Sequence, residues 1–197
     1  ELWKEILSVA TRAPSWKNAQ SYKIVIVSGQ KKSQLAQELR EAASAKRQAE
    51  PAIPYESDHP DYIQKRMKNL GIALYQHLGI ERKDTERRRE QALSNYDGFG
   101  APHMLFFYIP SQLRDWSILD LGIMVGYLSL VITQYGLGSC IQAMLGAYPD
   151  IVAKYTGMDE SHKLIVGMSV GYPIAENPSN TFYSDRVPVN EIMEWIE

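Results

Sequence analysis

From Leu121 through Pro149 the chain runs 29 residues without an Asp, Glu, Lys or Arg. A stretch that long and apolar either crosses a bilayer or lies inside a folded body. Gly136-Leu137-Gly138-Ser139 breaks it midway, and Ser129, Thr133 and Gln134 dilute it, so the membrane reading is rejected. A helix apolar on all sides is the buried spine of a domain or an oligomer interface. Everything else in the chain has to be arranged around that spine.

The remaining composition fits one compact domain. The chain has 197 residues, 45% hydrophobic and 22% charged, long enough to bury roughly 70% of the surface its unfolded form exposes. A formal charge of −2 offers no surface for tracking phosphates, which excludes nucleic acid as a partner. The single cysteine, Cys140, rules out an internal disulfide framework and points to a reducing, cytoplasmic compartment. No secretory signal opens the chain. Leu2, Trp3, Ile6, Leu7 and Ala10 already fall at helical spacing, so a truncated N-terminus that starts inside a helix is expected.

Periodicity predicts helices to about Arg12, from Lys32 to about Ala49 with Leu35 and Leu39 inward, from Asp61 to about Leu78, and from Glu81 to about Asn95. Strands are predicted over Tyr22–Ser28, His103–Ile109 and Lys163–Gly171, with Cys140–Leu145 as a fourth. Pro51, Pro54 and Pro60 make the stretch between Glu50 and Pro60 a loop or lid. Strands separated by helices point to an α/β or α+β layered domain. The tail from Tyr172 to Glu197 has the look of a segment that wraps a neighbouring subunit.

None of the common catalytic signatures occurs: no H-E-x-x-H, C-x-x-C, G-x-S-x-G, P-loop or G-x-G-x-x-G. His59, His77, His103 and His162 lack metal-ligand spacing and read as surface or strand-end residues. Cys140 reads as a small buried residue after a tight turn. The charged run Glu81–Glu90 reads as a solvated helix face. With no nucleophile–base pair and no metal set, a cofactor is the natural carrier of any chemistry, and no catalytic side chain is named.

Four segments remain. Arg12-Ala13-Pro14-Ser15-Trp16-Lys17-Asn18-Ala19-Gln20-Ser21-Tyr22 leaves a helix and runs into the first strand. It offers the Ser15 hydroxyl, the Asn18 and Gln20 amides and backbone N–H groups, although alone it also reads as a helix stop with an Asx turn. Gly136-Leu137-Gly138-Ser139-Cys140-Ile141-Gln142-Ala143-Met144 follows the spine and alone reads as a helix C-cap. Asp185-Arg186-Val187-Pro188, with Ile192 and Trp195 beyond, puts a guanidinium near the end of the chain. Asn95-Tyr96-Asp97-Gly98-Phe99-Gly100-Ala101-Pro102 precedes the second strand, and Tyr96 or Phe99 lines a substrate face or tucks into the core.

In this order and spacing the four segments resemble the nitroreductase family, from about Arg12 to Trp195. They depart from its pattern at Ser21-Tyr22, where Pro-Trp is usual, at Gly98, where Phe is usual, and at Ser184, often a Lys. The resemblance implies an α+β flavin sandwich: a central, mostly antiparallel sheet flanked by helices, one FMN-binding domain over residues 1–197, in a domain-swapped-type homodimer. It implies FMN as cofactor, with Pro14, Ser15, Trp16, Asn18 and Gln20 around the ring and ribityl chain. Ile141, Gln142, Ala143 and Met144 are expected near N5, with the Ala143 or Met144 N–H facing it, and Arg186 on the phosphate. The family's remaining phosphate ligands would precede Glu1. The implied reaction is ping-pong hydride transfer from NADH or NADPH to flavin N5 and on to a small acceptor such as a nitroaromatic or quinone. The alternatives are a non-catalytic flavin-binding or storage protein or, within the family, a dehalogenase, a flavin-consuming enzyme or an azoline oxidase.

Overall fold

The computed structural model describes residues 1–197. Four strands form one antiparallel sheet: β1 (Lys23–Ser28), β2 (His103–Pro110), β3 (Gly138–Gln142) and β4 (His162–Gly171), in the order β1-β2-β4-β3. The expected mostly antiparallel sheet flanked by helices is therefore present. Strand β2 is central, and its unbroken apolar run reflects burial on both faces. Leu105, Phe107 and Ile109 face one core with α1 (Leu2–Ala10) and α5 (Asp115–Gln134). Met104, Phe106 and Tyr108 face another with α2 (Gly29–Ser44) and α6 (Pro149–Thr156).

The register of β4 changes once. Phe107 pairs with Val166 and Tyr108 with Leu164, so Ile165 is the extra residue of a bulge. One inserted residue reverses the faces of a strand. Val166 and Met168 accordingly join the first core while Leu164 joins the second.

The apolar spine is α5. It is long and apolar enough to cross a membrane by length and composition. One side of it nevertheless packs on the sheet through Leu121, Met124, Val125, Leu128 and Ile132. It ends where Gly136 takes φ +70. The Leu137 N–H then bonds Ile132 O at 3.3 Å and the Gly136 N–H bonds Thr133 O at 3.1 Å, closing the last turn in the Schellman pattern.

Several boundaries differ from expectation. Strand β3 begins at Gly138 and gives way at Ala143 to a 3-10 segment, Ala143–Gly146. Helix α2 starts at Gly29, three residues earlier than periodicity placed it, and stops at Ser44. Helix α6 was not anticipated. Cys140 is exposed rather than buried, because β3 is an edge strand whose middle residues face outward. Partial desolvation by its neighbours raises its thiol above the ordinary range.

The chain divides into two compact units, residues 1–55 with 90–173 and residues 56–89 with 174–197. The sheet and both cores belong to the first. The second holds α3 (Asp61–His77), the start of α4 (Thr85–Leu93) and the C-terminal segment with α7 (Pro178–Thr181). Within it His77 Nε2 lies 3.0 Å from both Pro178 O and Thr181 Oγ1, and Arg66 pairs with Glu191 at 3.3 Å.

Candidate flavin site

After α1 the chain enters a strained loop. Lys17, Asn18 and Gln20 have φ of 49, 58 and 46, left-handed values that non-glycine residues seldom adopt. Each such residue costs on the order of 1–3 kcal/mol and persists only where its surroundings over-determine it. Here short local bonds support the shape. The Gln20 N–H donates to Ser15 Oγ at 3.1 Å, the Asn18 N–H to Ser15 O at 3.0 Å, and Gln20 Nε2 to Asn18 Oδ1 at 3.0 Å. Ser15, Asn18 and Gln20 thus form one polar cluster at the surface.

Beside the loop lies an open, almost wholly apolar cleft of about 190 Å³. Pro14, Ser15 and Trp16 form one wall and Trp116, Leu119, Asp120 and Ile123 of α5 the other. Trp16, 53% exposed, stacks on Trp116 with centroids 6.0 Å apart and planes 19° from parallel. The Lys17 ammonium sits 5.1 Å over the Trp16 ring. At the back, the Trp16 N–H donates to Asp120 Oδ1 at 2.9 Å.

The second expected stretch lies at the end of β3. Ile141, Ala143 and Met144 are exposed, whereas Gln142 turns inward and its Nε2 donates to Asn95 O at 2.8 Å. The Gln142 side chain therefore braces the Asn95–Gly98 loop. Ala143 and Met144 open a 3-10 turn, so their N–H groups have no intrahelical acceptor. Three tyrosines gather here. The Tyr96 and Tyr55 hydroxyls donate to the Met144 sulfur, and the Tyr96 ring stacks on Tyr148.

Arg186, in the second unit, is exposed and folds back on its own segment. Its Nη1 donates to Ser184 O at 3.0 Å, Ser184 Oγ at 2.5 Å and Asp185 O at 3.1 Å. Nη2 and Nε remain free. The loop packs against α5 and the turn against β4, and no hydrogen bond joins them.

These residues suit FMN chemically. A strained, polar Ser-Asn-Gln cluster beside an apolar, aromatic-walled cleft matches a ring that is flat, apolar on its faces and polar along one edge. Trp116, Asp120, Tyr55 and Tyr148 were not singled out as site residues by sequence reasoning. The available signal was Asp120 itself, a carboxylate at the head of an apolar helix with a Trp one turn earlier.

The chain belongs to the nitroreductase family, whose pattern it matches over residues 1–172. It is 32% identical over 173 residues to nitroreductase NfnB of Mycolicibacterium smegmatis, covering 87% of this chain and 73% of that protein. It is 30% identical over 172 residues to a 4-nitrobenzoate reductase of Pseudomonas putida, covering 87% and 75%. Among solved structures, the FMN-dependent nitroreductase NfnB from Mycobacterium smegmatis in complex with NADPH superposes with a TM-score of 0.93 at 28% identity, covering 99% of this chain and 87% of that one. The FMN- and NADPH-dependent NfnB of Sphigopyxis sp. strain HMH gives a TM-score of 0.92 at 30% identity, covering 100% and 89%.

Proposed function

We propose that this protein is an FMN-dependent oxidoreductase that draws hydride from NADPH or NADH and passes it to a nitroaromatic, quinone or similar small acceptor. The observation that carries the reading is the strained Ser15–Gln20 cluster beside the aromatic-walled cleft. Likeness to relatives that use FMN and NADPH and reduce nitroaromatics supports it. Bound FMN supplies a two-electron carrier between the pyridine nucleotide and the acceptor. This chain's residues bind and orient it: Pro14 and Trp16 against the ring, Ser15, Asn18 and Gln20 by hydrogen bonds, Ile141 by apolar contact, and Gln142 by fixing the turn. The Ala143 or Met144 N–H is offered to N5, and Arg186 is offered to the phosphate. Positioning supplies most of the rate. The working entity is one FMN-binding domain over residues 1–197, in the cytoplasm, where reduced pyridine nucleotide is available.

The site is completed by a second copy. On α5, Trp116, Leu119, Tyr127 and Leu130 are exposed and form an apolar stripe at helical spacing, with half-buried Ile123 between them, and Leu130 is 71% exposed. Gly122 and Gly126 interleave with it, and a Cβ at either meets nothing within 4 Å. An exposed apolar stripe with small residues suits the close approach of the same helix from a homodimer partner. The loop of one copy then serves the same flavin as the turn of the other.

The test is spectrophotometric. The purified protein should hold about one FMN per chain, and its yellow colour should bleach under NADPH or NADH without oxygen and return on adding a nitroaromatic. Retained flavin that neither nucleotide bleaches would make this a flavin-binding protein instead. A chain that takes up no FMN would overturn the reading altogether.

A further inference from the structure

The loop that presents Ser15, Asn18 and Gln20 has internal hydrogen bonds, but only one that leaves it: Trp16 N–H to Asp120 Oδ1, at 2.9 Å across 104 residues of sequence. Asp120 is 4% exposed and heads the buried face of α5, next to Leu121. A carboxylate is costly to place there unless it is hydrogen-bonded. Trp116, one turn earlier on α5, stacks on the Trp16 ring. Helix α5 therefore grips Trp16 twice, by its main chain and by its ring, immediately before the left-handed residues. The Tyr22 hydroxyl, just past the loop, is buried without a partner. Burial, and then the Asp120 charge, raise that phenol above its ordinary range.

We propose that Asp120 is a positioning residue: by accepting the Trp16 N–H it fixes the left-handed Lys17–Gln20 backbone and so pre-sets the loop's amides and hydroxyl for the flavin. The claim rests on the FMN reading above for its consequence, but not for its geometry. Asp120 also lines the cleft, but the hydrogen bond it makes is to the loop, and its loss should affect FMN and riboflavin alike, because the phosphate is not involved.

The experiment compares Asp120→Leu, which removes the acceptor and keeps apolar bulk, with Asp120→Asn, which keeps an acceptor oxygen. In flavin-free protein, Asp120→Leu should lose the near-ultraviolet circular dichroism of the Trp16–Trp116 pair. Tryptic cleavage after Lys17 should also become about tenfold faster. FMN and riboflavin should each weaken about tenfold, the worth of roughly one lost hydrogen bond. Asp120→Asn should restore most of all three. In the unsubstituted protein the Trp16 amide should exchange with solvent deuterium at least about a hundredfold more slowly than the neighbouring Lys17 amide, a result that requires no variant to fold. Wild-type cleavage and flavin affinity in Asp120→Leu would overturn the proposal, as would equal exchange at Trp16 and Lys17. A protein that binds no flavin would sink the FMN reading, while the dichroism, cleavage and exchange would still decide the role of Asp120.

Discussion

The Tyr96 hydroxyl donates to the Met144 sulfur at 3.4 Å, and the Tyr55 hydroxyl reaches the same atom at 3.9 Å. Met144 is 38% exposed and is the second residue of the 3-10 turn after β3, and two phenols hold its side chain in place. Burial, with the neighbouring Tyr148 and Tyr55 phenols adding to it, pushes Tyr96 up to about 12. Tyr155 also stands at about 12, for another reason: its hydroxyl donates to Glu38 at 2.5 Å.

A spectrophotometric alkaline titration checks this. Both phenols have folded values above the ordinary 10.0. Their contribution to stability is thus fully present below pH 10 and lost as pH rises through about 12. Tyr96→Phe should remove one of the two latest-ionising tyrosine signals and leave the Tyr155 signal in place. A late phase unchanged by Tyr96→Phe would contradict the assignment.

Gly167 on β4 faces Leu145, and a methyl there would lie 2.5 Å from Leu145 Cβ and 2.9 Å from Cδ1. A Cβ belongs to the main-chain scaffold and cannot swing aside. Gly167→Ala should cost about 1–3 kcal/mol, lowering Tm by roughly 2–4 °C for each kcal/mol in a chain of this size. Calorimetry showing an unchanged Tm would mean that the 3-10 segment yields freely.

The exposed stripe on α5 makes a different prediction. On a free surface, Leu130→Glu would change stability by less than about 0.5 kcal/mol. In the centre of a homodimer interface it buries a carboxylate against apolar groups. Light scattering should therefore find the unsubstituted protein a dimer at micromolar concentration and Leu130→Glu a monomer depleted of FMN. Monomeric, flavin-loaded unsubstituted protein would refute the two-copy site.

What was legible in the sequence follows the range of the forces involved. The run His103–Ile109 is apolar throughout because β2 is covered on both faces, and Leu35 and Leu39 fall at one-turn spacing because α2 covers one core. Helix α6 escaped notice because it has eight residues, opens on Pro149 and buries only Ile151 and Val152. The exposure of Cys140 depends on β3 being an edge strand, a property of sheet order rather than of neighbours in sequence. The grip of Asp120 on Trp16 spans 104 residues, beyond any periodic pattern. The loop, the turn and Arg186 were nominated by their resemblance to a family pattern, whereas the supports of the loop and turn come from elements that only folding brings near.

Arg186 carries the sharpest test of the site. Its guanidinium spends Nη1 on Ser184 and Asp185 and keeps Nη2 and Nε free, so the fork is held by its own segment and presents two donors. An arginine held this way suits a phosphate. Arg186→Ala should weaken FMN by about 1.5–3 kcal/mol, or roughly ten- to a hundredfold. Riboflavin, which lacks the phosphate, should bind either protein alike. Arg186→Lys should recover only part of the loss, because a point charge cannot reproduce the fork. Ser184→Lys adds a second cation two residues away and should tighten FMN without tightening riboflavin. Flavin fluorescence titrations on the four proteins decide the matter. Equal weakening of both flavins by Arg186→Ala would make Arg186 a support of its own segment, and no weakening of either would leave it a solvated charge.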